Sequence, residues 1–585
     1  MQTTSTAIAA AVVLLAAAAP TFAADPNGYT AQYECRAGGP RCNVDVAALA
    51  KLQCDQIVTP ADKDWSKILN NPSQRVFCIQ AGDHTAKGPL TIRFSGTSSS
   101  YKVLRYYRPN DSDDDPWAQS TSNQAKINRL RFIGARYWLV HRLVFDPNYA
   151  ANSFAVQLGD SVTRSERIIL NRILAQHGAK QVYIEGAHDT VVQNSVLRES
   201  IKVRGVDSDG IGMSYSPRNT WIVNNEIYRI HSHGVYTSAN SVSPGTVVEN
   251  NDIYADRSQW TNCSGTYTPN NLNSPCSDAE AAISVKAGGT RENPIRVIHN
   301  RIWGYRWTDT GVCCIAGSEG QMVSLSQESN SAANWVLVQN NILTDGQHGI
   351  QSPREGSGNN SIVGNLFYRI KNYRSSSTSR SSALDTLGHW DNNEVYLNTV
   401  VDSDSWALLG SGNTNMDLRC NAVVASGAHK GGTPDSGAVV DNNAFLGTVQ
   451  VSTNGGKNDV VLPIQPRANS AFYRTGTLVR LGDVGACVAG NEAACFLYQA
   501  MSDGISGSAA PAACTMLGCE FVDGGVTWKA VRGPYLYKRK LRTVATGELA
   551  VVPYARVHAN AAESYACNEG IGTRPSVGID DVPLL

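Results

Sequence analysis

The sequence of 585 residues predicts an all-β solenoid in which short strands stack coil upon coil. Two observations indicate this fold class. A short phrase with a central Asn recurs through the middle of the chain, and several intervals between its copies are close to 25 residues. A period in this range, built from short strands, is typical of arrays whose units bury their apolar faces on their neighbours. Abundant Gly, Asn and Ser supply the tight turns that such a chain needs.

The phrase consists of apolar residues, then Asn, one variable residue and another apolar residue. Alternation around the Asn places every second side chain inside. We interpret the Asn as structural, because its amide can hydrogen-bond along a stack of like amides and it tolerates the left-handed conformation at a turn. WLVHRLVF, around His141, is interpreted as an earlier copy with His in the Asn position. The copies are centred on Asn171, Asn194, Asn225, Asn251, Asn300, Asn340 and Asn365, with weaker ones at Asn398, Asn421 and Asn443.

The intervals between copies predict where the coils carry insertions. Those of 23 (171 to 194), 26 (225 to 251), 25 (340 to 365) and 23 (398 to 421) correspond to single turns. Those of 49 (251 to 300) and 40 (300 to 340) predict coils with long loops.

The N-terminal segment and the cysteines predict export. Residues 1–24 read as a signal peptide cleaved near Ala23 or Ala24, although no Lys or Arg precedes the apolar run. That run is too short to span a bilayer. Fourteen cysteines without paired CxxC spacing favour disulfides over zinc sites. We therefore expect a secreted or periplasmic protein.

Charge composition restricts the partners. The chain has 50 basic and 50 acidic residues, so it carries no net electrostatic bias. This balance argues against a nucleic-acid groove or a polybasic membrane surface as the main purpose, and it leaves a local charged cleft possible.

The two ends differ from the repeated part. Residues 25–80 contain VDVAALAKL, a predicted short helix amid four cysteines, and are interpreted as a cap over the first coil. Residues 81–465 are the predicted solenoid, and we assign the catalytic domain to them. Residues 466–585 are a predicted β-rich module, in which YRTGTLVRLGD and VDGGVTWKAV resemble a small module attached to secreted carbohydrate-active proteins. Sugar binding and capping are both open for it.

The Asn phrases resemble the right-handed parallel β-helix of secreted pectin- and alginate-type lyases, polygalacturonases and tailspikes. The resemblance covers roughly residues 80 to 460. It implies a right-handed parallel β-helix and a polysaccharide as the partner, and it is far more specific for fold than for function.

If the Asn phrases are in register, the segments upstream of them also stack. Ile211, Val235, Ile283, Val323 and Ile350 then form an inward column, followed by Met213, Thr237, Val285 and Leu325. Small residues dominate the outward positions around Tyr236 and Lys286, which predicts a shallow trough. Loops at 255–280 and 303–320 would wall it. The stacked segments are DGIGMSY (209–215), HGVYTSA (233–239), AAISVKA (281–287), QMVSLSQ (321–327) and HGIQSPR (348–354).

Ionisable residues near this trough are the candidate site. Lys286 is either an ordinary solvated lysine or a base, which neighbouring arginines would favour in its neutral form. Tyr236 is either a proton donor or a platform for a sugar ring. The catalytic candidates are Lys286, His233, Tyr236 and Arg291, and the substrate-binding candidates are His231, Arg296, Arg306 and His348.

Four carboxylates predict a calcium site near the same turns. Three carboxylates with backbone oxygens would suit Ca²⁺, and capping of turns through Asx hydrogen bonds is the alternative. His231 and His233 lack an evident third ligand, which argues against zinc. The predicted calcium ligands are Asp207, Asp209, Asp278 and Glu280.

Two motifs point to competing chemistries. EAAISVKAGG resembles the chondroitin- and alginate-lyase motif in which Lys is the base, and Ile283, Ser284 and Lys286 match it. The acidic positions of that motif hold Ala279 and Ala281 here, because the carboxylates are shifted by one, and its partner Arg would fall near Ser326. VDSDGIG resembles the first acidic motif of polygalacturonases, with Asp209 matching, yet the following coil has HSHGVY instead of an Asp pair.

The sequence therefore predicts a secreted lyase that cleaves an acidic, uronic-acid-containing polysaccharide by β-elimination. A glycoside hydrolase, a C5-epimerase and a non-catalytic glycan-binding β-helix are the alternatives.

Overall fold

A computed structural model of the chain describes the following residues: 42, 44–107, 115–148, 150, 153–201, 207–238, 242–255, 280–306, 320–326, 334–352, 357–373, 381–386, 390–409, 415–427, 430–431, 439–441, 443–447, 460–488, 490–544 and 547–554. The predicted signal peptide, Asp278 and most of the two predicted loop walls lie outside them.

The first of three parallel sheets, sheet A, has fourteen strands within the described residues. Its strands follow one another in chain order, each paired in parallel with the next coil's copy. They are Gln56–Val58, Val76–Ile79, Lys102–Tyr106, Arg136–His141, Glu166–Asn171, Val191–Gln193, Trp221–Val223, Val247–Glu249, Ile295–Ile298, Val336–Gln339, Ser361–Val363, Glu394–Tyr396, Asp417–Arg419 and Val439–Asp441.

The other two sheets join at one end, where Lys126 and Ile127 pair with Val144 and Phe145, so that they form one set of 24 strands. Sheet B carries the candidate site. Its strands are Gly82–Ile92, Ala125–Phe132, Phe154–Leu158, Lys180–Glu185, Ile211–Ser214, His233–Thr237, Ala281–Val285, Gln321–Leu325, His348–Gln351, Ser382–Thr386, Ala407–Leu409 and Lys430–Gly431.

Sheet C lies between sheets A and B along the chain, so each coil runs from A to C to B. Its strands are Val144–Phe145, Leu174–Gln176, Val196–Arg198, Glu226–Tyr228, Asp252–Tyr254, Arg301–Trp303, Ile342–Thr344, Leu366–Tyr368, Thr399–Val401, Ala422–Val424, Ala444–Leu446 and Val460–Leu462. This order, repeated with parallel pairing between like strands, is a parallel β-helix, and the predicted fold class is confirmed.

A ladder of buried Asn side chains follows the corner between sheets A and C. In each step one Asn donates its Nδ2–H to the Oδ1 of the Asn on the next coil, as from Asn225 to Asn251 at 3.0 Å and from Asn251 to Asn300 at 3.0 Å. The same Oδ1 also accepts the backbone N–H of the Asn that donates its side chain, as from Asn225 to Asn251 and from Asn251 to Asn300. The ladder continues through Asn341, Asn365, Asn398, Asn421 and Asn443.

Three of the predicted Asn positions differ from this ladder. Asn194 and Asn340 stand one residue before it and adopt the left-handed conformation, with φ of 53° each. Ser195 takes the ladder position on its coil and donates its backbone N–H to Asn225. Asn171 ends a strand of sheet A, where its amide contacts His141 at 3.0 Å. Stacking and left-handed turns are therefore two tasks, which adjacent residues perform.

The interior is a continuous apolar column from Trp65 to Phe445. Two short helices precede it: α1 (Val46–Ala50), capped by Asp45, and α2 (Trp65–Leu69), whose Trp65 and Leu69 enter the core. Cys54 and Cys78 form a disulfide beside the first strands. The interpretation of residues 25–80 as a cap remains a prediction.

A second, smaller β unit follows residue 463. Two disulfides, Cys487–Cys495 and Cys514–Cys519, lie in it, so cysteine pairing is confirmed where the structure describes it. Its five-stranded sheet consists of Ile464–Pro466, Leu478–Arg480, Leu497–Ala500, Glu520–Asp523 and Val526–Arg532. Two-stranded pairs are Phe472–Tyr473 with Gly504–Ile505, Tyr535–Lys538 with Leu549–Val552, and Ser357–Gly358 with Trp390–Asp391; 3₁₀ turns are Pro116–Ala118, Thr121–Asn123, Val484–Ala486 and Glu492–Cys495.

The segment after this unit returns to the β-helix and covers sheet C. Arg539 lies over the ring of Trp303 at 4.6 Å, and Lys540 donates to Asn224 at 3.1 Å. Thr543 donates to the buried carboxyl of Glu226 at 2.9 Å. The outer face of sheet C is therefore covered by this C-terminal segment, whereas these contacts do not involve the outer face of sheet B. No helix in the described residues is long and apolar enough to cross a membrane.

Candidate active site on the outer face of sheet B

The strands of sheet B stack in the register that the sequence predicts. Ile211 pairs with Val235, and the column continues through Ile283, Val323 and Ile350. Its members are buried in the core. The second inward column, from Met213 to Leu325, is also confirmed.

The outward positions are covered to different extents. Ser284 and Ser324 are only 1% and 2% exposed, so the predicted trough is not open along its whole length. Tyr236 and Lys286 are half-buried, and the Glu280 side chain is 46% exposed. The accessible part of this face is therefore centred on the coils of Tyr236 and Lys286.

Four ionisable side chains on consecutive coils form one connected chain, here called the His233 network: Lys180, Asp209, His233 and Glu280. The Lys180 ammonium contacts Asp209 Oδ2, and Asp209 Oδ1 lies 3.0 Å from His233 Nδ1. His233 Nε2 in turn lies 3.1 Å from Glu280 Oε2. Each charge is thus met by an opposite one on the neighbouring coil.

This arrangement keeps His233 protonated. Burial opposes a charge on its ring, but the hydrogen bonds to Asp209 and Glu280 outweigh burial and raise the pKa of His233 to about 9. Burial also opposes the charge on Asp209, yet Lys180 and then His233 hold the pKa of this carboxyl below its ordinary value. At neutral pH the network is therefore a row of alternating full charges.

Tyr236 lies on this row of charges. Its ring stacks on the His233 imidazole, with centroids 4.7 Å apart and 23° between the planes. The Lys180 ammonium lies 5.7 Å from the Tyr236 ring centroid and 5.7 Å from that of Tyr183. Two cations therefore lie next to the Tyr236 ring.

Gly212 makes room for the Lys180 side chain between the two tyrosines. A Cβ at this position would lie 2.9 Å from Lys180 Cδ and 2.9 Å from Asp209 Oδ2. Since Tyr183, Gly212 and Tyr236 pair in one outward column, only a glycine lets the lysine cross between the rings.

Lys286 directly follows the strand Ala281–Val285, which pairs with the strand that carries Tyr236. It follows Val285, which pairs with Thr237, and its backbone N–H donates to Thr237 Oγ1 at 3.1 Å. One coil across and two residues along separate it from Tyr236, so the two Cα atoms are about 8 Å apart by strand geometry. The structure therefore brings Lys286, Tyr236, His233 and Glu280 into one patch.

Other predicted site residues lie elsewhere. Arg296 is exposed on sheet A, where it pairs with Val247, so it faces away from this patch. Arg291 is exposed in the turn after Lys286, and Arg306, also exposed, stacks on Tyr373 at 4.8 Å. His231 is 2% exposed and is therefore covered by the protein. His348, three coils beyond His233 in the same column, is 3.1 Å from Asp385 and is also buried.

The predicted calcium ligands do not form a donor set in the described residues. Asp209 uses both oxygens on Lys180 and His233, and Glu280 uses one on His233. No group of three or more His, Cys, Asp or Glu that could hold a metal ion occurs in the part of the chain that the structure describes. Asp278 lies outside the described residues, so the calcium site remains a prediction.

Sequence reasoning missed Lys180, Tyr183 and Gly212 as parts of the site. The signal was present, because AKQVYIEG precedes the Asn194 phrase as DGIGMSY precedes the Asn225 phrase. Val182 pairs with Ile211 and with Val156, so the stack of segments extends to earlier coils than predicted.

A second network repeats the same bonding pattern at the corner between sheets C and B. Here called the His177 network, it joins Lys126 Nζ to Asp146 Oδ2 at 3.1 Å and Asp146 Oδ1 to His177 Nδ1 at 3.0 Å. His177 Nε2 lies 3.0 Å from Glu199 Oε2. Glu199 also accepts from a guanidinium, since Arg229 bonds its other oxygen at 2.9 Å. The His177 network therefore ends in a carboxylate that has a second, cationic partner.

No protein-family model and no curated protein sequence matches the chain. Solved structures do match it. A PL6 family alginate lyase is 13% identical with a TM-score of 0.40, over 72% of this chain and 54% of that one, so this chain spans about half the length of that protein. The A-module of a mannuronan C-5 epimerase from Azotobacter vinelandii is 13% identical, with a TM-score of 0.35, over 68% and 92%.

A third similar structure is the catalytic domain of a GH87 α-1,3-glucanase, 10% identical with a TM-score of 0.37, over 68% of this chain and 65% of that one. At these identities the similarity concerns the fold alone.

Proposed function

We propose that this chain is an enzyme acting on polysaccharides, and specifically a lyase that cleaves a uronic-acid-containing polysaccharide by β-elimination. The observation that carries the proposal is the patch in which Tyr236 lies on a protonated His233 while Lys286 extends from the adjacent coil. An amine and a phenol about 8 Å apart at their Cα atoms can reach the two sides of one sugar linkage.

Lys286 and Tyr236 divide the two proton transfers. Lys286, as the neutral amine, removes the proton at C5, and the electron pair forms the C4–C5 double bond as the C4–O bond breaks. The leaving oxygen takes a proton from Tyr236, and solvent returns Tyr236 and Lys286 to their starting states. A positioned acid or base contributes about 10²- to 10⁴-fold to such a reaction.

The His233 network positions Tyr236 and stabilises its charge. When the phenol gives up its proton, the imidazolium beneath the ring and the Lys180 ammonium offset the negative charge that remains. We assign neutralisation of the uronate carboxylate to Arg291, which is exposed in the turn after Lys286. Neutralising that carboxylate is what makes removal of the C5 proton accessible.

The test measures two products from a panel of uronic-acid polysaccharides. A lyase yields ultraviolet absorbance from an unsaturated uronate together with new reducing ends. Lys286→Ala and Tyr236→Phe each lower the rate at least 100-fold under this proposal. An unaffected Lys286→Ala enzyme would remove the proposed base. His233→Gln should also lower the rate, and His177→Gln, in the second Lys–Asp–His–Glu network, is its matched control.

A hydrolase is the second candidate, favoured by the carboxyl groups on either side of His233. Asp207 lies one coil before His233 and is exposed. Desolvation of its carboxyl, and then the negative charge of Asp209, raise the pKa of Asp207. Glu280 follows on the next coil and is held by the imidazolium. A protonated acid and an ionised base are what glycoside hydrolysis requires.

The same assay separates the candidates. Reducing ends without absorbance, abolished by Asp207→Asn and retained in Lys286→Ala, would replace the lyase with a hydrolase. Deuterium incorporation at C5 from heavy water, without chain cleavage, would indicate an epimerase. Glycan binding with none of these reactions would support a binding protein.

A further inference from the structure

The outer face of sheet B continues past the proposed active site, toward the N-terminal coils. There, the strand Lys180–Glu185 carries three outward side chains, those of Lys180, Tyr183 and Glu185. Tyr183 and Glu185 are half-buried, so both present part of their surface. None of the proposed chemistry uses Tyr183 or Glu185.

Tyr183 belongs to a held aromatic surface. Its ring lies 4.6 Å from that of Phe154 on the preceding coil, and its hydroxyl shares a hydrogen bond with Ser214 Oγ at 2.6 Å. Burial raises the pKa of Tyr183 to about 12, so the hydroxyl stays neutral. A ring fixed in this way is suited to stacking against the apolar face of a sugar.

Glu185 is oriented by a chain of hydrogen bonds on the same face. Gln157 donates to Glu185 Oε2 at 2.8 Å and accepts from Arg131 at 2.8 Å. Burial raises the pKa of Glu185, and the charge of Asp160 adds to this effect. The hydrogen bond from Gln157 acts in the opposite direction but does not cancel it. Arg131 is the nearby cation and Asp160 a second nearby carboxylate, so the local charge is negative when both acids are ionised.

Glu185 and Lys286 occupy equivalent outward positions. Glu185 pairs with Ser214. The next two strand pairs end at Met213 with Thr237 and at Thr237 with Val285, and one further residue in that register aligns Ser214 with Ser238 and Ser238 with Lys286, three coils from Glu185. Three coil spacings are about 14 Å. A polymer that runs along this face therefore meets a cation at one end and a carboxylate at the other, with serine hydroxyls between.

We propose that Phe154, Tyr183 and Glu185 form a subsite for a sugar without a carboxylate, so that the substrate contains both uronate and non-acidic residues. This inference rests on the proposed function. A carboxylate accepts hydrogen bonds and donates none, so Glu185 selects sugar hydroxyls or amide N–H groups. A uronate at this position would bring two like charges together.

The experiment compares kcat/KM for hyaluronan, in which uronate alternates with an N-acetylhexosamine, and for polygalacturonate, which is all uronate. Wild type is expected to favour hyaluronan at least tenfold. Glu185→Gln is expected to reduce this ratio at least fivefold, mainly by improving the use of polygalacturonate. Glu166→Gln removes a carboxylate of the same size on sheet A, where Glu166 is paired with Arg136, and should leave the ratio unchanged.

Equal use of both polymers by wild type, or an unchanged ratio in Glu185→Gln, would overturn the subsite. If neither polymer is cleaved, the proposed lyase function has failed on these substrates, and calorimetric binding of hyaluronan and polygalacturonate oligosaccharides decides the subsite separately. A preference for the hyaluronan oligosaccharide that Glu185→Gln abolishes supports it. Equal affinity, or no binding of either, overturns it.

Discussion

Tyr236 and His233 lie face to face on one strand, three residues apart, with 4.7 Å between their ring centroids. Such contact is possible because the strand begins with a corner, where Gly234 turns inward next to Val235 and both flanking residues turn outward. A buried imidazolium thereby lies directly against a half-buried phenol. The first two predictions below depend on this pair.

Removal of the Tyr236 hydroxyl should abolish the proton transfer without disturbing the fold. Tyr236→Phe is expected to lower kcat about 10²- to 10⁴-fold, because the ring still stacks on His233 while the proton donor is gone. The thermal midpoint should change little. Tyr215→Phe is the control, since Tyr215 is 49% exposed and lies outside the network. Equal losses in both variants would contradict the assignment.

The protonation of His233 should make stability depend on pH. Its pKa is raised from 6.5 to about 9 on folding, so its contribution is fully present below pH 6.5 and is lost as the pH rises through 9. The shift corresponds to about 3 kcal/mol in the free energy of unfolding. Denaturant titrations between pH 6 and 9.5 should show this loss in wild type and its absence in His233→Gln.

Filling the space at Gly212 should disturb the site more than the fold. Gly212→Ala places a methyl group 2.9 Å from Lys180 Cδ and Asp209 Oδ2, so the flexible lysine must move and its contact with Asp209 is disrupted. The expected cost in stability is about 1 to 3 kcal/mol. Activity should fall at least tenfold. Gly485→Ala, where a Cβ meets nothing within 4 Å, should affect neither quantity.

The Asn ladder should be a major source of stability. Asn300 donates to Val248 O at 2.9 Å and to Asn341 at 3.0 Å, and its Oδ1 accepts from both the backbone and the side chain of Asn251. Asn300→Ala leaves these buried groups unpaired, which costs about 3 kcal/mol or more. Asn219→Gly, which removes an exposed hydrogen bond to Asp189 and tolerates the left-handed backbone at φ 50°, should cost less than about 0.5 kcal/mol by thermal unfolding.

Calcium should not be required if Asp209 and Glu280 serve the His233 network. Because both Asp209 oxygens already contact cationic groups, we expect activity to survive a chelator. Loss of activity with the chelator, followed by recovery with Ca²⁺ alone, would contradict this expectation and support the calcium ligands predicted from the sequence.

The register of the strands at the candidate site was predictable from the sequence. The alternation of inward and outward residues can be read within each strand, and because the coils repeat, aligning the Asn phrases also aligns the strands before them. Once the Asn phrases were aligned, Val235, Ile283 and Val323 had to stack, and they do. The His141 copy was also recognisable. The ladder position was misread by one residue at Asn194 and Asn340, because an Asn–Asn or Asn–Ser pair satisfies the same letter pattern in two ways.

The partners of the charged residues were not predictable from the same alignment. Asp209 and Glu280 were interpreted as metal ligands, since a sequence shows carboxylates near one another but not which cation reaches them. Lys180 reaches Asp209 across Gly212, from a strand that lies 29 residues earlier in the chain. Arg296 looked close to Lys286 along the chain, yet the intervening corner places it on a different sheet.

The sequence by itself determined the solenoid, because burial of alternate apolar residues and stacking of Asn amides are set by periodicity within each coil. Only the tertiary structure decided which side chains meet across coils. The direction of a long side chain depends on the space that its neighbours leave, and here that space is a missing Cβ at Gly212. A network of charges can therefore be hidden in a sequence whose fold is evident.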